Sequence, residues 1–277
     1  MSDKQLSKED ILKKIRQMSN LPSPSPSAMS IVSLFSDEDV NIYHVVEEME
    51  KDQALVAKVL KLINSGYYSL RSTVDSVERA VALLGLLNVK QLVYSAAIMD
   101  MYGEKEQAEW EHSYSTFILM GNLIREKDLA VNSNLPLTML MHDIGKLVLR
   151  SISSKLYDQI QMLTTTKKMS SVEAEELVFK VNHCEVGALL LERWEMAPSI
   201  IEPVRNHHNY TDIPEDFVVE LALIQFVDWV DLSARGTREC TAPNPELMRE
   251  AGLDDMDSDF WIRYQKDLIE MLADEED

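Results

Sequence analysis

Five of the six histidines in this 277-residue chain fall between positions 112 and 208: His112, His142, His183, His207 and His208, with His44 standing apart. His142 is followed directly by Asp143 inside the apolar run LTMLMHDIGKLVL. An imidazole nitrogen beside a carboxylate is a donor set suited to Zn, Fe, Mn or Ni, and less suited to cations that take oxygen alone. A carboxylate in so apolar a stretch must be paired, neutral or bound to a cation. The first basic residue after Asp143 is Lys146, one turn on. Asp228 poses the same problem in ALIQFVDWVDL, with Asp231 three residues further. A single histidine on an apolar helix is more often a hydrogen-bonded core residue than a ligand, and a lone helical aspartate is usually a cap. Composition and spacing therefore leave two readings open, a helical metal site and a set of separately satisfied core residues.

Helices must position these groups. Glycine and proline are scarce and fall mostly between segments of helical periodicity, and no alternating strand pattern of useful length occurs, so the expectation is all-α. Residues 8–18 read as a short helix starting near Ser7. The stretch 20–26 (NLPSPSP) cannot be helical, because each proline biases its predecessor toward extended geometry. Further helices are expected over 28–36, 41–51, 54–63, 74–84 and 89–101, with a stop at 64–66 and a turn at Gly85. Beyond a polar connection at 103–107 they continue near 108–127, 135–151, 170–178, 181–194, 198–208 and 221–234. His183 opens one of these, with Gly187 allowing close packing, and His207-His208 closes another. After Thr237 the chain reads as a loop, ending in an amphipathic helix over 260–272. The expected organisation is an N-terminal helical lobe over 1–102, a second lobe over 103–237, and a C-terminal loop and acidic helix over 238–277.

The chain carries 27 Lys and Arg against 47 Asp and Glu, a net charge of −20. So acidic a surface is repelled by phosphate backbones and anionic lipid, which argues against nucleic-acid and membrane partners. The last 24 positions hold ten acidic and two basic residues, so much of the charge is remote in sequence from the histidines. No stretch approaches the length of a membrane span. The charged N-terminus lacks an apolar signal region, and two cysteines make no disulfide framework, which together point to the cytoplasm. Cys184, beside His183, reads as a small buried filler. Phe260, Trp261, Tyr264, Leu268 and Leu272 form a stripe that either packs on its own lobe or docks a partner.

The doublet in HDIGK resembles the HD superfamily of metal-dependent phosphohydrolases. The order His112, His142-Asp143, His183, His207-His208, Asp228 resembles that of the two-metal HD-GYP phosphodiesterases. This resemblance implies that His112, His142, Asp143 and Asp228 hold one ion. Asp143 would bridge to a second held by His183, His207 and His208. Lys146 matches a lysine that lies near substrate phosphate in that superfamily. The implied cofactor is one or two divalent transition ions, iron first, with Mn, Ni or Zn as alternatives.

Outside the doublet, LPSPSPSAM (21–29), DQALVAKVLKLINSGYY (52–68), SVERAVALLG (76–85), WEHS (110–113) and NHCEVGALLLERWEMAPSIIEPVRNHH (182–208) resemble the HDOD (HD-related output domain) pattern. The resemblance covers roughly residues 15–235. It implies an all-α fold of two helical lobes, the second of HD type with a buried metal site. It also implies a bacterial signalling module that works through protein partners. Two departures matter. Gln53 stands where the pattern has proline, with no chemistry attached. The segment after the paired histidines reads HHNYTDIPEDF, without the GYP motif, so cyclic-dinucleotide hydrolysis does not follow. The implied function is a metal-binding regulatory output domain. The alternative is a phosphohydrolase acting on a nucleotide, a cyclic nucleotide or another small phosphate ligand through a metal-bridging hydroxide, with Asp143 and Lys146 as catalytic residues.

Overall fold

Side-chain caps fix where many of the helices begin. Ser7 with Asp10, Ser170 with Glu173 and Asn182 with Glu185 form reciprocal capping boxes, each satisfying amide hydrogens that the first turn leaves free. The computed structural model describes residues 7–34, 41–64, 72–209, 211, 213–237 and 241–273. Among them every regular element is helical. No helix among the described residues is long and apolar enough to cross a membrane.

The chain divides into two compact units. One comprises residues 23–110 and 267–277 and contains α2 (Pro26–Leu34), α3 (Ile42–Glu50), α4 (Gln53–Ile63), α5 (Val77–Leu84) and α6 (Leu86–Met99). α6 is buried along most of its length and packs against α2, α4 and α5. Asn64, at the end of α4, donates from Nδ2 to the Val74 carbonyl and accepts from the Val74 amide, each at 2.7 Å. That bond pair holds Val74 outside a helix, and Ser76 caps α5 instead, so α5 starts later than periodicity alone suggests. His44 is exposed on α3, as its acidic neighbourhood implies. The stops at Ser65 and Gly66 lie outside the described residues.

The other unit comprises residues 1–22 and 111–266. It contains α1 (Lys8–Gln17), the larger part of α7 (Gln107–Glu126), α8 (Leu135–Met141), α9 (Gly145–Ile152), α10 (Ser154–Lys167), α11 (Ser171–Phe179), α12 (His183–Arg193), α13 (Pro198–Asn206), α14 (Val218–Ala234), α15 (Pro245–Glu250) and most of α16 (Ser258–Ala273). Its core is built from α7, α8 and α14 with Leu247, Met248, Leu253 and Trp261. Trp261 therefore packs inward, while Phe260 is exposed.

Three expectations are corrected here. The helix expected over 135–151 is two helices, α8 and α9, separated by a tight turn at 142–144. Ile144 N bonds to Met141 O and Lys146 N to Asp143 O, bonds three residues apart that tighten the chain. The apolar residues run on through the turn, so periodicity does not reveal it. α10 fills a stretch read as having no helix; Ser153 caps it, and Tyr157, Ile160 and Leu163 bury one face. α15 interrupts the expected C-terminal loop, with Asn244 as cap and Pro245 in its first turn, where proline loses no hydrogen bond.

The contact between α9 and α12 positions the histidines. A Cβ placed on Gly145 would stand 2.0 Å from the His183 carbonyl oxygen and 2.7 Å from the Gly187 amide nitrogen. Backbone thus lies against backbone, and His183 is drawn up to the turn that carries His142 and Asp143.

Candidate metal centre

Five segments of this one unit converge: α7 supplies His112, the α8–α9 turn His142 and Asp143, the start of α12 His183, the end of α13 His207 and His208, and α14 Asp228. The structure brings all seven residues together in two groups. His112, His142 and Asp228 form one; Asp143, His183, His207 and His208 form the other, and within each the candidate donor atoms lie within 4.8 Å of one another.

Asp143 faces both groups. Its Oδ2 lies 3.5 Å from His142 Nε2 and 3.7 Å from His112 Nε2, while its Oδ1 lies 3.2 Å from His183 Nε2 and 3.9 Å from His207 Nε2. Asp228 Oδ1 is 3.2 Å from His112 Nε2 and 3.7 Å from His142 Nε2.

The outer nitrogens decide what the inner ones can do. His142 Nδ1 lies 2.6 Å from the Met139 carbonyl, and His207 Nδ1 lies 2.7 Å from that of Val204. A carbonyl only accepts, so both Nδ1 atoms carry hydrogen, and in the neutral rings both Nε2 atoms are lone-pair donors. His112 Nδ1 is 2.7 Å from Asp231 Oδ2, and His183 Nδ1 is 2.7 Å from Glu175 Oε2. All four Nε2 atoms then point inward: His112 and His142 meet at 3.2 Å, and so do His183 and His207. In neutral rings these close pairs would set lone pair against lone pair, with two carboxylates beside them. Asp143 Oδ1 is buried and accepts no hydrogen bond. Outer Nδ1–H groups tied to carboxylate or carbonyl, with Nε2 free, are the arrangement of metal-ligating histidines. The donor set therefore fits one or two transition-metal ions.

Protons balance the charge when cations do not. Burial opposes charge on His112, yet its hydrogen bonds to Asp228 and Asp231 prevail and raise its pKa to about 10. Burial, with His208 and His183 adding to it, holds His207 well below the usual imidazole range. His208 falls to about 3, through burial first and then His183. Burial works against ionised Asp143, but Lys146, His142 and His183 outweigh it and keep the carboxyl ionised. Lys146 Nζ donates to Asp143 Oδ2 at 2.5 Å. Lys146, His208 and Asp228 are the partly exposed members, so the cluster is reached from their side.

A supporting layer has little signature in the sequence. Glu175, fully buried on α11, accepts from both the amide and Nδ1 of His183 through one oxygen, each at 2.7 Å. Nothing marks it among the neighbouring glutamates of SVEAEELVF. Asp231, also fully buried, accepts from His112, from Arg235 Nε at 2.7 Å, from Ser115 at 2.7 Å and from Gln265. Its spacing of three from Asp228 is a signal, since both then fall on one helix face.

A model of the HDOD domain family matches residues 21–210. The match ends before Asp228, so it does not extend to the full two-metal ligand order. Among solved structures, an HDOD domain protein of unknown function from Geobacter sulfurreducens is 24% identical with a TM-score of 0.78, covering 97% of this chain and 98% of that one. A candidate phosphohydrolase from Shewanella amazonensis SB2B is 17% identical with a TM-score of 0.72, over 95% and 97% of the two chains. A candidate signal transduction protein from Marinobacter aquaeolei VT8 is 21% identical with a TM-score of 0.69, over 97% of this chain and 62% of that one. At these identities the likeness concerns the fold. An uncharacterized protein of Treponema pallidum (strain Nichols) is 23% identical over 216 residues, 76% of this chain and 42% of its own length. The chain thus spans less than half of that curated relative.

Proposed function

The chain belongs to the HDOD domain family, and from that premise we propose that it is a signal-transduction module that holds two transition-metal ions and acts through protein partners. His112, His142 and Asp228 would hold one ion, and His183, His207 and His208 the other, with Asp143 between them. The observation that supports this reading is the inward set of four Nε2 atoms whose Nδ1 partners are already committed. The centre ties together α7, α12, α13, α14 and the α8–α9 turn, so occupancy would fix their mutual arrangement and give a partner one surface to read. The Marinobacter neighbour's name as a signal transduction protein accords with this reading but belongs to that protein.

A phosphohydrolase is the second reading, favoured by the partly exposed Lys146 ammonium on the accessible side of the cluster. Bound divalent cations would supply charge to phosphoryl oxygens and acidify a water molecule. Lys146 would bind a phosphate oxygen, and Asp228 and His208 would border the same opening. The test is a turnover assay of metal-loaded protein on phosphomonoesters, phosphodiesters and cyclic nucleotides. The signalling reading expects stoichiometric metal with no turnover. Turnover abolished by Asp143→Ala would instead establish the hydrolase.

A further inference from the structure

Cys184 is the second residue of α12, next to His183, and it is buried. Its Sγ lies 3.7 Å from His183 Nε2 and 3.9 Å from His207 Nε2, two nitrogens that are themselves 3.2 Å apart. With zinc–sulfur bonds of about 2.3 Å and zinc–nitrogen bonds of about 2.1 Å, neighbouring ligands of one five-coordinate ion, at angles of about 90–120°, stand about 3.1–3.8 Å apart, S to N. Both observed separations lie near the upper end of that range. As a filler, Cys184 would place its sulfur against apolar atoms. As a hydrogen-bond donor, its one S–H could serve only one of the two nitrogens. A second feature points to the same place. Asp143 Oδ1, in a side chain 5% exposed, accepts no hydrogen bond and lies 3.2 Å from the same His183 Nε2 that Sγ faces.

We propose that Cys184 is a thiolate ligand of the ion held by His183, His207, His208 and Asp143, so that the two metal positions differ in kind. The inference rests on the two-metal reading above. On coordination the S–H bond breaks, its proton leaves to solvent and the sulfur lone pair goes to the cation; no electron is transferred. The position that includes Cys184 has a soft donor and selects Zn²⁺, Fe²⁺ or Co²⁺ over Mg²⁺ or Mn²⁺. The position of His112, His142 and Asp228 has nitrogen and oxygen donors alone and is less selective.

The test is cobalt titration of the full chain carrying Cys240→Ser, so that Cys184 is the one remaining thiol. Bound cobalt is counted by elemental analysis after desalting. We expect visible bands of cobalt bound to protein, together with an intense near-ultraviolet thiolate-to-cobalt charge-transfer band that saturates with one of the two ions. Adding Cys184→Ser should abolish that band, keep the bands of the other ion, and weaken the affected position by at least about tenfold. Stoichiometric cobalt without a charge-transfer band in the Cys240→Ser protein overturns the proposal and leaves the metal reading standing. This outcome does not depend on whether the Cys184 variant folds. No retained cobalt overturns both.

Discussion

The carbonyl oxygen of His183 occupies the space where Gly145 would carry a side chain, 2.0 Å from an ideal Cβ position. This approach of α9 to α12 sets the distance between Asp143 and His183. Gly145→Ala should therefore force the helices apart, cost about 1–3 kcal/mol or more, and reduce metal content. Gly187→Ala meets the Gly145 backbone, at 3.2 Å from its amide nitrogen, and Ile144 Cγ2 at 3.5 Å, and should be milder. Chemical denaturation of both variants, with metal analysis of each, checks the order. Equal effects would contradict it.

Glu175 holds the ring of His183. Removing its carboxylate leaves the amide and Nδ1 of His183 without their buried acceptor. Glu175→Ala should destabilise the protein by about 1–3 kcal/mol and weaken metal binding by roughly 10–100-fold. Glu175→Gln keeps one acceptor oxygen and should recover much of the stability. Thermal denaturation and competition with a metal indicator measure the two effects.

Asp231 stands between Arg235 and His112 with no exposed surface. Its burial opposes ionisation, but His112 and Arg235 prevail and lower its pKa to about 2. In metal-free protein Asp231→Ala leaves two cationic partners without their buried anion, and a loss of about 3–5 kcal/mol is expected. Combining it with Arg235→Ala should cost less than the sum of the single changes. A double-mutant cycle by urea denaturation reads the coupling.

In metal-free protein, His112 is raised from 6.5 to about 10. A histidine raised on folding adds stability that is fully present below its unfolded pKa and is lost as pH rises through the folded value. Chelator-treated protein should therefore lose this contribution progressively between pH 6.5 and about 10, and His112→Ala should lack that slope. A metal ion takes the place of the same proton, so metal binding should release protons and tighten with rising pH over that range. Melting temperatures and calorimetry in buffers of different ionisation enthalpy test the two statements.

Much of the candidate cluster was legible in the sequence because it is built from unusual residue types. Asp143 and Asp228 stand out against apolar neighbours, and five histidines fall within the stretch that folds around them. The all-α fold was legible through helical periodicity and caps such as Ser7. The turn at 142–144 was hidden because Met141, Ile144 and Leu147 continue the apolar pattern across it. Glu175 was hidden because a buried glutamate and its exposed neighbours read alike. Cys184 was legible as buried, but only three-dimensional placement puts its sulfur beside two imidazole nitrogens.

Elemental analysis of the full chain, purified without chelators and then offered Fe, Mn, Ni and Zn in turn, tests most directly whether the histidine and aspartate cluster is a metal centre. We expect two transition-metal ions per chain, lost together with His142→Ala and Asp143→Ala in combination. Folded protein, verified by circular dichroism, that retains none of these ions after desalting would contradict it.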